Sequence, residues 1–522
     1  MERQKVMTPG PQAEVISFLS KASAYACHPP VVERHETHGA IVFIAGDRAY
    51  KLKRAVHLPY MDYSTVEARR QMCLRELDVN RRMAPEIYLG VAKIRRDAGG
   101  SLQIADEATA EDAVDWLVVM HRFPQDALLE NMRRQGRLSN DVLVRTARRI
   151  ALFHAAAKIH REMGGYEGLS SVIEGNHAIL GSMVGNPFSR EKVRLLGDLS
   201  RARLERMHGL LERRRQAGYV RRVHGDLHLN NICMIHGEPV PFDAVEFRDE
   251  FAQIDTFYDL AFLLMDLDRH GLCRGANTVL NAYLEDSLDY TGLAPLPLFL
   301  ACRAAIRAHV TMSMAKENVQ TATAPHDAAA FLDRAIGYLQ PASPKLVAVG
   351  GISGTGKSTL ARGLAPVIGA APGAVVLRSD VIRKQLWGKS TGERLPEEAY
   401  SADFSARVFQ TIAERAEIIL RAGHSVIADA VYGRPDERAA LAKVAERAHA
   451  KFLGLWLEAP EKALENRISS RTNDASDATV AVLHKQLKHV VPPHDWAIVE
   501  AEPGPDEVLL QALRHLQMEA TR

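Results

Sequence analysis

The chain is short of the residues that disulfide frames, zinc sites and membrane spans require. Its 522 residues include five cysteines, Cys27, Cys73, Cys233, Cys273 and Cys302, odd in number and scattered, with no Cys-x-x-Cys pair. That pattern excludes a disulfide framework and a zinc site and points to reduced thiols in a cytoplasmic protein. There is little excess of charge of either sign: 66 Lys and Arg stand against 64 Asp and Glu, a formal net charge of +2. Nothing in that total calls for a nucleic acid or a membrane surface. Long apolar runs are missing; Leu260 to Met265 is far too short to span a bilayer. Met1 to Ser20 holds Pro9, Pro11 and several charges without an apolar core, so no signal peptide is expected. No internal repeat and no low-complexity tract is present.

What remains is ordinary globular composition, 47% hydrophobic and 25% charged, at a length that suggests about two to four domains. The organising stretch of the first part is Val223-His224-Gly225-Asp226-Leu227-His228-Leu229-Asn230-Asn231, followed by Pro241-Phe242-Asp243-Ala244-Val245-Glu246. An Asp with an Asn five residues on, then a second Asp closing a short apolar run, suits phosphoryl transfer. Asp226 can accept the proton of an attacking hydroxyl, and Asn231 and Asp243 can hold Mg²⁺ against ATP phosphates. Spacing selects Asn231 over Asn230.

Upstream, residues 40 to 53 read as a hairpin turning at Gly46-Asp47. Lys51 and Lys53 alternate onto one face of its second strand, and one of them should reach the α- and β-phosphates. Ala-x-Lys favours Lys51 and Tyr-x-Leu-Lys favours Lys53; Lys53 is the preferred reading. Ser64 to Met83 reads as a helix with Ser64 as N-cap and Glu67 at the capping-box position. Glu76, mid-helix, is the partner expected for the strand lysine. Asp115 to Met120 is a buried strand, and Asp141 to Met163 a helix with Leu143, Ala147, Ile150, Ala151 and His154 on one face. Glu246, Asp249, Glu250, Asp255, Asp266, Asp268, Glu285, Asp286 and Asp289 read as solvated helix faces, or else as acids favouring a cationic substrate.

Protein kinases write the catalytic loop as His-Arg-Asp and the metal segment as Asp-Phe-Gly. Gly225 in place of Arg, and Phe242-Asp243 in place of Asp-Phe-Gly, resemble the aminoglycoside phosphotransferase family. The resemblance implies an α+β, bilobal, protein-kinase-like fold for residues 1–340, with a small lobe over about 1–120 and a large lobe over about 121–340. It implies a lobe hinge at His121-Arg122-Phe123-Pro124, a helix with His154 beneath the catalytic loop, and Asp259 bracing that loop. Related folds phosphorylate choline, homoserine, sugars and other metabolites, so the family does not name the acceptor.

Gln340-Pro341-Ala342-Ser343-Pro344 breaks the helical pattern and marks the domain boundary. The strand Lys345 to Gly350 then runs into Gly351-Ile352-Ser353-Gly354-Thr355-Gly356-Lys357-Ser358-Thr359, a full P-loop (Walker A) pattern. Its glycines let backbone N–H groups curl around phosphates, with Lys357 adding a charge on the β/γ side and Ser358 reaching Mg²⁺. Ala374 to Asp380 and Ser425 to Ala430 read as strands ending in carboxylates. Asp429 is the group expected near Mg²⁺, and Asp380 with Arg383 the acceptor-side pair. Arg467 and Arg471 lie four apart on the helix after strand Phe452 to Pro460, where they can neutralise the transferring phosphoryl group. Asn473 to Asp477 reads as a lid. Residues 345–522 thus form an α/β domain with a doubly wound parallel sheet. Ser379-Asp380-x-x-Arg383 with Arg467-x-x-x-Arg471 resembles the kinase-type P-loop proteins, including polynucleotide 5′-hydroxyl kinases, zeta-toxin-like kinases and gluconate kinases. The two-domain order resembles bifunctional aminoglycoside phosphotransferase/ATP-binding proteins.

The expectation is a bifunctional ATP- and Mg²⁺-dependent kinase acting on hydroxylated acceptors, without membrane or zinc. The P-loop domain would take a small molecule or a short 5′-hydroxyl nucleic-acid end. The alternatives are one active domain gated by an ATP-binding sensor, or a nucleic-acid end-processing enzyme whose first domain guides it.

Overall fold

The alternating pattern of residues 40–53 forms the hairpin it predicts. β1 (Val32–Glu36), β2 (Ala40–Ala45), β3 (Arg48–Lys53), β4 (Tyr88–Arg96), β5 (Leu102–Asp106) and β6 (Ala113–His121) make an antiparallel sheet in the order β1-β2-β3-β6-β4-β5. Ala45 pairs with Arg48, leaving Gly46-Asp47 as a two-residue turn with Gly46 at φ +64°. The period of two sorts the side chains. Ile41, Phe43, Tyr50, Leu52, Leu117 and Val119 share one core with Val15 and Leu19. Ile44, Ala49, Val118 and Met120 share the other with Cys73 of helix α1 (Val66–Arg81). Lys51 and Lys53 fall on that second face, toward α1.

The coordinates are a computed structural model that describes residues 12–37, 39–58, 61–106, 111–185, 187–317, 323–470 and 476–520. The chain packs as two units, residues 1–168 with 212–263, and residues 169–211 with 264–522. In the first unit α1 begins one residue later than its sequence suggested. Thr65 is the N-cap, its hydroxyl accepting from Ala68 N–H, while Ser64 is turned to Asp62. Helix α2 (Asn140–Ala156) is capped by Ser139 and stops well short of Met163, because the chain leaves it as an extended segment in which Ile159 bridges Arg221. The catalytic segment leads into the hairpin of β7 (Ile232–Ile235) and β8 (Glu238–Pro241), and α3 (Thr256–Arg269) follows.

The second unit holds a five-stranded, all-parallel sheet. Its strands are β9 (Lys345–Gly350), β10 (Val375–Arg378), β11 (Val426–Asp429), β12 (Lys451–Glu458) and β13 (Ala497–Glu500), in the order β10-β11-β9-β12-β13. β9 is central and buried along nearly its whole length, as a parallel strand covered on both faces must be. Val347 and Val349 pack with Leu360 and Leu364 of α5 (Lys357–Leu364) on one face. Order reverses at β9, so its carboxyl end is the switch point where ligands bind. Helix α4 (Cys273–Ser287), which precedes the Pro341–Pro344 break, packs with this sheet. Asn281 accepts from Val376 N–H at 2.7 Å and donates to Ala374 C=O at 3.2 Å, a side-chain partner for edge strand β10. No helix among the described residues is long and apolar enough to cross a membrane.

The sheet of the first unit is tied to α1 by a buried bidentate pair, Arg69 Nε and Nη2 to Asp115 at 2.7 and 3.1 Å, with Gln12 Nε2 also donating to Asp115 at 2.7 Å. Removing one partner strands a buried charge, so Asp115→Ala should destabilise the protein by about 3 kcal/mol. Urea unfolding followed by far-UV circular dichroism reads this as a lowered midpoint with an unchanged slope.

Candidate functional site: two nucleotide sites

In the first unit five charged groups meet between β3, α1 and the segment after β8. Lys51 Nζ donates to Glu76 Oε1 at 2.8 Å and to Asp243 Oδ1 at 2.6 Å. Lys53 Nζ donates to Glu76 Oε2 at 2.6 Å and to Glu246 Oε1 at 2.5 Å. Glu76 is 0% exposed. Burial alone would raise its pKa, but the two ammonium groups hold it down to about 2. The two lysines differ in their surroundings. Lys53 is 1% exposed, closed in by Glu76, Glu246 and the Tyr63 ring, whereas Lys51 faces Asp243. Glu246, read from the sequence with the acidic run, is instead 6% exposed and bonded to Lys53; its signal was a carboxylate directly following the Asp243-Ala244-Val245 run.

The loop 224–231 is held from beneath. Asp259 on α3 accepts from His224 N–H at 3.1 Å and Gly225 N–H at 2.8 Å, and its Oδ2 lies 3.1 Å from His154 Nε2. Burial lowers the pKa of His224, so its ring is neutral. Nδ1 accepts from Asp226 N–H, which leaves Nε2–H to donate to Phe242 C=O at 2.8 Å, tying the catalytic loop to the metal segment. Gly225 has φ +84°, and a Cβ there would lie 2.7 Å from Phe251 C=O, which accounts for glycine where protein kinases carry arginine. Asn231 Nδ2 donates to Asp226 Oδ2 and to its C=O, both at 3.0 Å. Asn230 is exposed and Asn231 buried. Asp243 has φ +61°, with its N–H held by Tyr88 OH at 3.1 Å. His228 Nε2 lies 3.4 Å from Asp226 Oδ2.

Much of the acidic run 246–289 is paired internally, while Glu250 and Asp286 are exposed. Asp255 pairs with buried Arg214 at 2.8 and 2.9 Å, and Asp249 with Arg75 and Arg222. Asp266 pairs with Arg269, and Asp268 with Arg334 and Tyr338. Internal pairing consumes most of that charge.

In the second unit the P-loop lines a cavity of about 820 Å³ together with Asp380, Arg383, Tyr400, Asp429 and Arg467. Gly351 and Gly354 sit at φ +135° and +90°, and a Cβ at either would press on the backbone of Leu457 or Leu464. Gly356 is also at positive φ, +91°, though a Cβ there would meet nothing within 4 Å. Ser358 Oγ donates to Asp429 Oδ2 at 2.5 Å, and Lys357 Nζ to Ile352 C=O at 2.9 Å. Ser353 N–H donates to Gln486 Oε1 at 2.8 Å, a contact that no sequence signal marked. Thr355 donates to Ile352 C=O, and exposed Thr359 stands at the cavity wall. Asp380 is in the first turn of α6 (Ser379–Trp387), since the strand ends at Arg378. Burial, then the neighbouring Asp429, raises its pKa, making it a better proton acceptor. Arg383 donates to Ala399 C=O at 2.6 Å and lies over the Tyr400 ring. Arg467 donates to Ala501 C=O at 2.6 Å. Arg471 lies outside the described residues, as do 473 to 475 of the expected lid; Asp477 is held by Tyr400 OH and Leu395 N–H.

The fold and these two sites define an ATP-dependent phosphotransferase with domains of two types, one protein-kinase-like and one a P-loop kinase. The AAA domain family (AAA_33) matches residues 346–493. The chain belongs to the same family as the uncharacterized protein Rv2004c of Mycobacterium tuberculosis (strain ATCC 25618 / H37Rv), to which it is 32% identical over 465 residues, 87% of this chain and 89% of that one. The uncharacterized protein Mb2027c of Mycobacterium bovis matches to the same extent. Among solved structures, a choline/ethanolamine kinase family protein from Mesorhizobium loti is similar over 63% of this chain and 99% of its own, at 11% identity and TM-score 0.36. A gluconokinase from Sinorhizobium meliloti 1021 is similar over 34% of this chain and 94% of its own, at 23% identity and TM-score 0.26.

Sign and window follow for Glu76. Its folded pKa of about 2 lies below the ordinary 4.5, so its contribution to stability is full above 4.5 and is lost as pH falls toward 2. Glu76→Gln should therefore lower stability at pH 7 and flatten its dependence on pH between 4.5 and 2, measured by thermal unfolding across that range.

Proposed function

We propose that the chain is a bifunctional kinase, in which residues 1–340 and 345–522 each transfer the γ-phosphoryl group of ATP to a hydroxyl acceptor. What carries the reading is that each site keeps an acceptor-side carboxylate, Asp226 or Asp380, beside its own nucleotide groups. A mere ATP sensor needs no such carboxylate.

At the first site Lys51, oriented by Glu76, holds the α- and β-phosphates. Lys53 instead locks Glu246 and the metal segment to α1. Asp226 takes the proton of the acceptor hydroxyl as its oxygen bonds to the γ-phosphorus, and the bond to the β–γ bridging oxygen breaks, releasing ADP. Asn231 and Asp243 offer an amide and a carboxylate oxygen, a donor set suited to Mg²⁺. Mg²⁺ bound there supplies charge neutralisation for the phosphates. Ser358 and Asp429 are the corresponding oxygen donors in the second site. There Gly351, Ser353, Gly354, Thr355, Gly356, Lys357 and Thr359 cradle the phosphates, Asp380 and Arg383 meet the acceptor, and Arg467 neutralises the transferring group. A cavity of about 820 Å³ suits a nucleotide with a small acceptor or a short 5′-hydroxyl end better than a long strand. A cytoplasmic setting, where ATP and reduced thiols coexist, completes the reading.

Because Asn281 and Asn277 hold Ala374 of the edge strand, the test uses the full chain, not a 345–522 fragment. Labelled ATP is screened against small alcohols, sugars, aminoglycosides and 5′-hydroxyl oligonucleotides. Lys357→Ala should abolish one set of products and Asp226→Asn the other, with Asp226→Asn leaving Mg·ATP affinity at the first site largely intact. If either substitution alone silenced every product, two independent sites would be excluded.

A further inference from the structure

Three elements of the first unit converge on one carboxylate that the phosphoryl-transfer chemistry does not use. Asp249 Oδ1 accepts from Arg75 Nη2 and from Arg222 Nη1. Arg75 is the residue before Glu76 on α1. Arg222 ends the short strand Val220–Arg222 that leads into the catalytic loop. Asp249 opens the helix Asp249–Ala252, six residues after Asp243. That last segment is fixed against the loop: Val223 N–H donates to Ala252 C=O at 2.8 Å, Gln253 pairs with Arg222, and Phe251 C=O crowds Gly225.

An exposed ion pair would be worth little, and the Asp249 and Arg75 side chains are 44% and 32% exposed; what sets this cluster apart is its third member. The Arg222 side chain is 10% exposed, and its buried Nη2 has no hydrogen-bond partner among the described residues. Two guanidinium groups from different elements share one carboxylate oxygen, so positive charge exceeds negative. Protein kinases use a comparable meeting of basic groups to order the activation segment, but there the anion is a phosphate added on activation. Removing such an anion frees the helix that carries the lysine's glutamate.

We propose that Asp249 is a positioning residue, a built-in anion that clamps α1 to the segment after the metal aspartate and so holds Glu76 and Lys51 in register with Asp243. The nucleotide site is then permanently assembled and needs no phosphorylation of that segment. The inference rests on the reading of Lys51, Glu76 and Asp243 as the first nucleotide site.

Mg·ATP affinity is measured by calorimetry on the full chain carrying Lys357→Ala, so that the first site alone reports. Asp249→Ala should weaken affinity about tenfold, within the usual range of coupling between sites. Sodium formate, which restores a carboxylate between the two arginines, should recover most of that loss, and Asp249→Glu should retain near-parental affinity. Arg75→Met, at a half-buried helix position where folding is not at risk, should show the same loss without recovery by formate. If Asp249→Ala and Arg75→Met bind as the parent does while Lys51→Ala loses affinity, the clamp is wrong and the site reading stands. A loss in Asp249→Ala that formate does not repair, with Arg75→Met unaffected, also overturns the clamp. If Lys51→Ala keeps full affinity, the site reading itself fails.

Discussion

The carboxylate of Glu76 carries two ammonium groups in a place water does not reach. Everything in the first site is arranged around that shared charge. A buried carboxylate alone would be protonated or driven out; two lysines from one strand keep it ionised. They also reach past it to Asp243 and Glu246, so one helix residue fixes β3, α1 and the metal segment together. Three carboxylates against two lysines leave the cluster negative, which suits a site that is to receive a divalent cation. The penalty of burying Glu76, Lys53 and Glu246 is offset because each is satisfied by hydrogen bonds to its opposites, while Asp243 stays partly exposed.

The same logic of shared charge extends beneath the catalytic loop. Asp259 spends both oxygens on the N–H groups of His224 and Gly225 and on His154, and His224 in turn reaches Phe242 C=O. Asp226 is thus presented by a backbone that has little freedom left, while its own carboxylate stays half exposed for an acceptor. Gly225 is the geometric condition for this: only a residue without Cβ fits both its positive φ and the close approach of Phe251 C=O. Replacing the kinase arginine removes a basic group from the loop, and Arg222, three residues earlier, takes up the ionic tie to the following segment.

Where chemistry and spacing coincide, the sequence was readable. Asp226 and Asn231 are set by a five-residue interval, and the P-loop by its glycines, lysine and serine, whose Ser358–Asp429 contact appears as the strand order requires. The choice between Lys51 and Lys53 was not readable, because residues two apart on a strand share a face, and only the position of Asp243 distinguishes them. The acids from Glu246 to Asp289 misled for a related reason. Sequence shows their number but not the arginines, Arg75, Arg214, Arg222 and Arg334, that fold onto them. Asp380 was placed one element too early, since a helix beginning directly at Ser379 leaves no loop to mark the change.

The Pro341–Pro344 break is a boundary of chain direction, and packing does not stop there. An edge strand presents unpaired N–H and C=O groups that must be covered. β10 is such an edge, and its cover comes from α4, where Asn281 supplies an acceptor to Val376 and a donor to Ala374 as a neighbouring strand would. Gln385 on α6 adds a bond to Glu285 C=O at the end of the same helix. β10 runs directly into Ser379 and Asp380, so the strand that leads to the Asp380 carboxylate at the P-loop cavity is held in place by a helix that precedes the Pro341–Pro344 break. A P-loop domain cut at residue 345 would keep its phosphate cradle on β9 but lose the side chains that seal β10. The strand before the P-loop and the strand that leads to Asp380 are therefore held by different stretches of the chain.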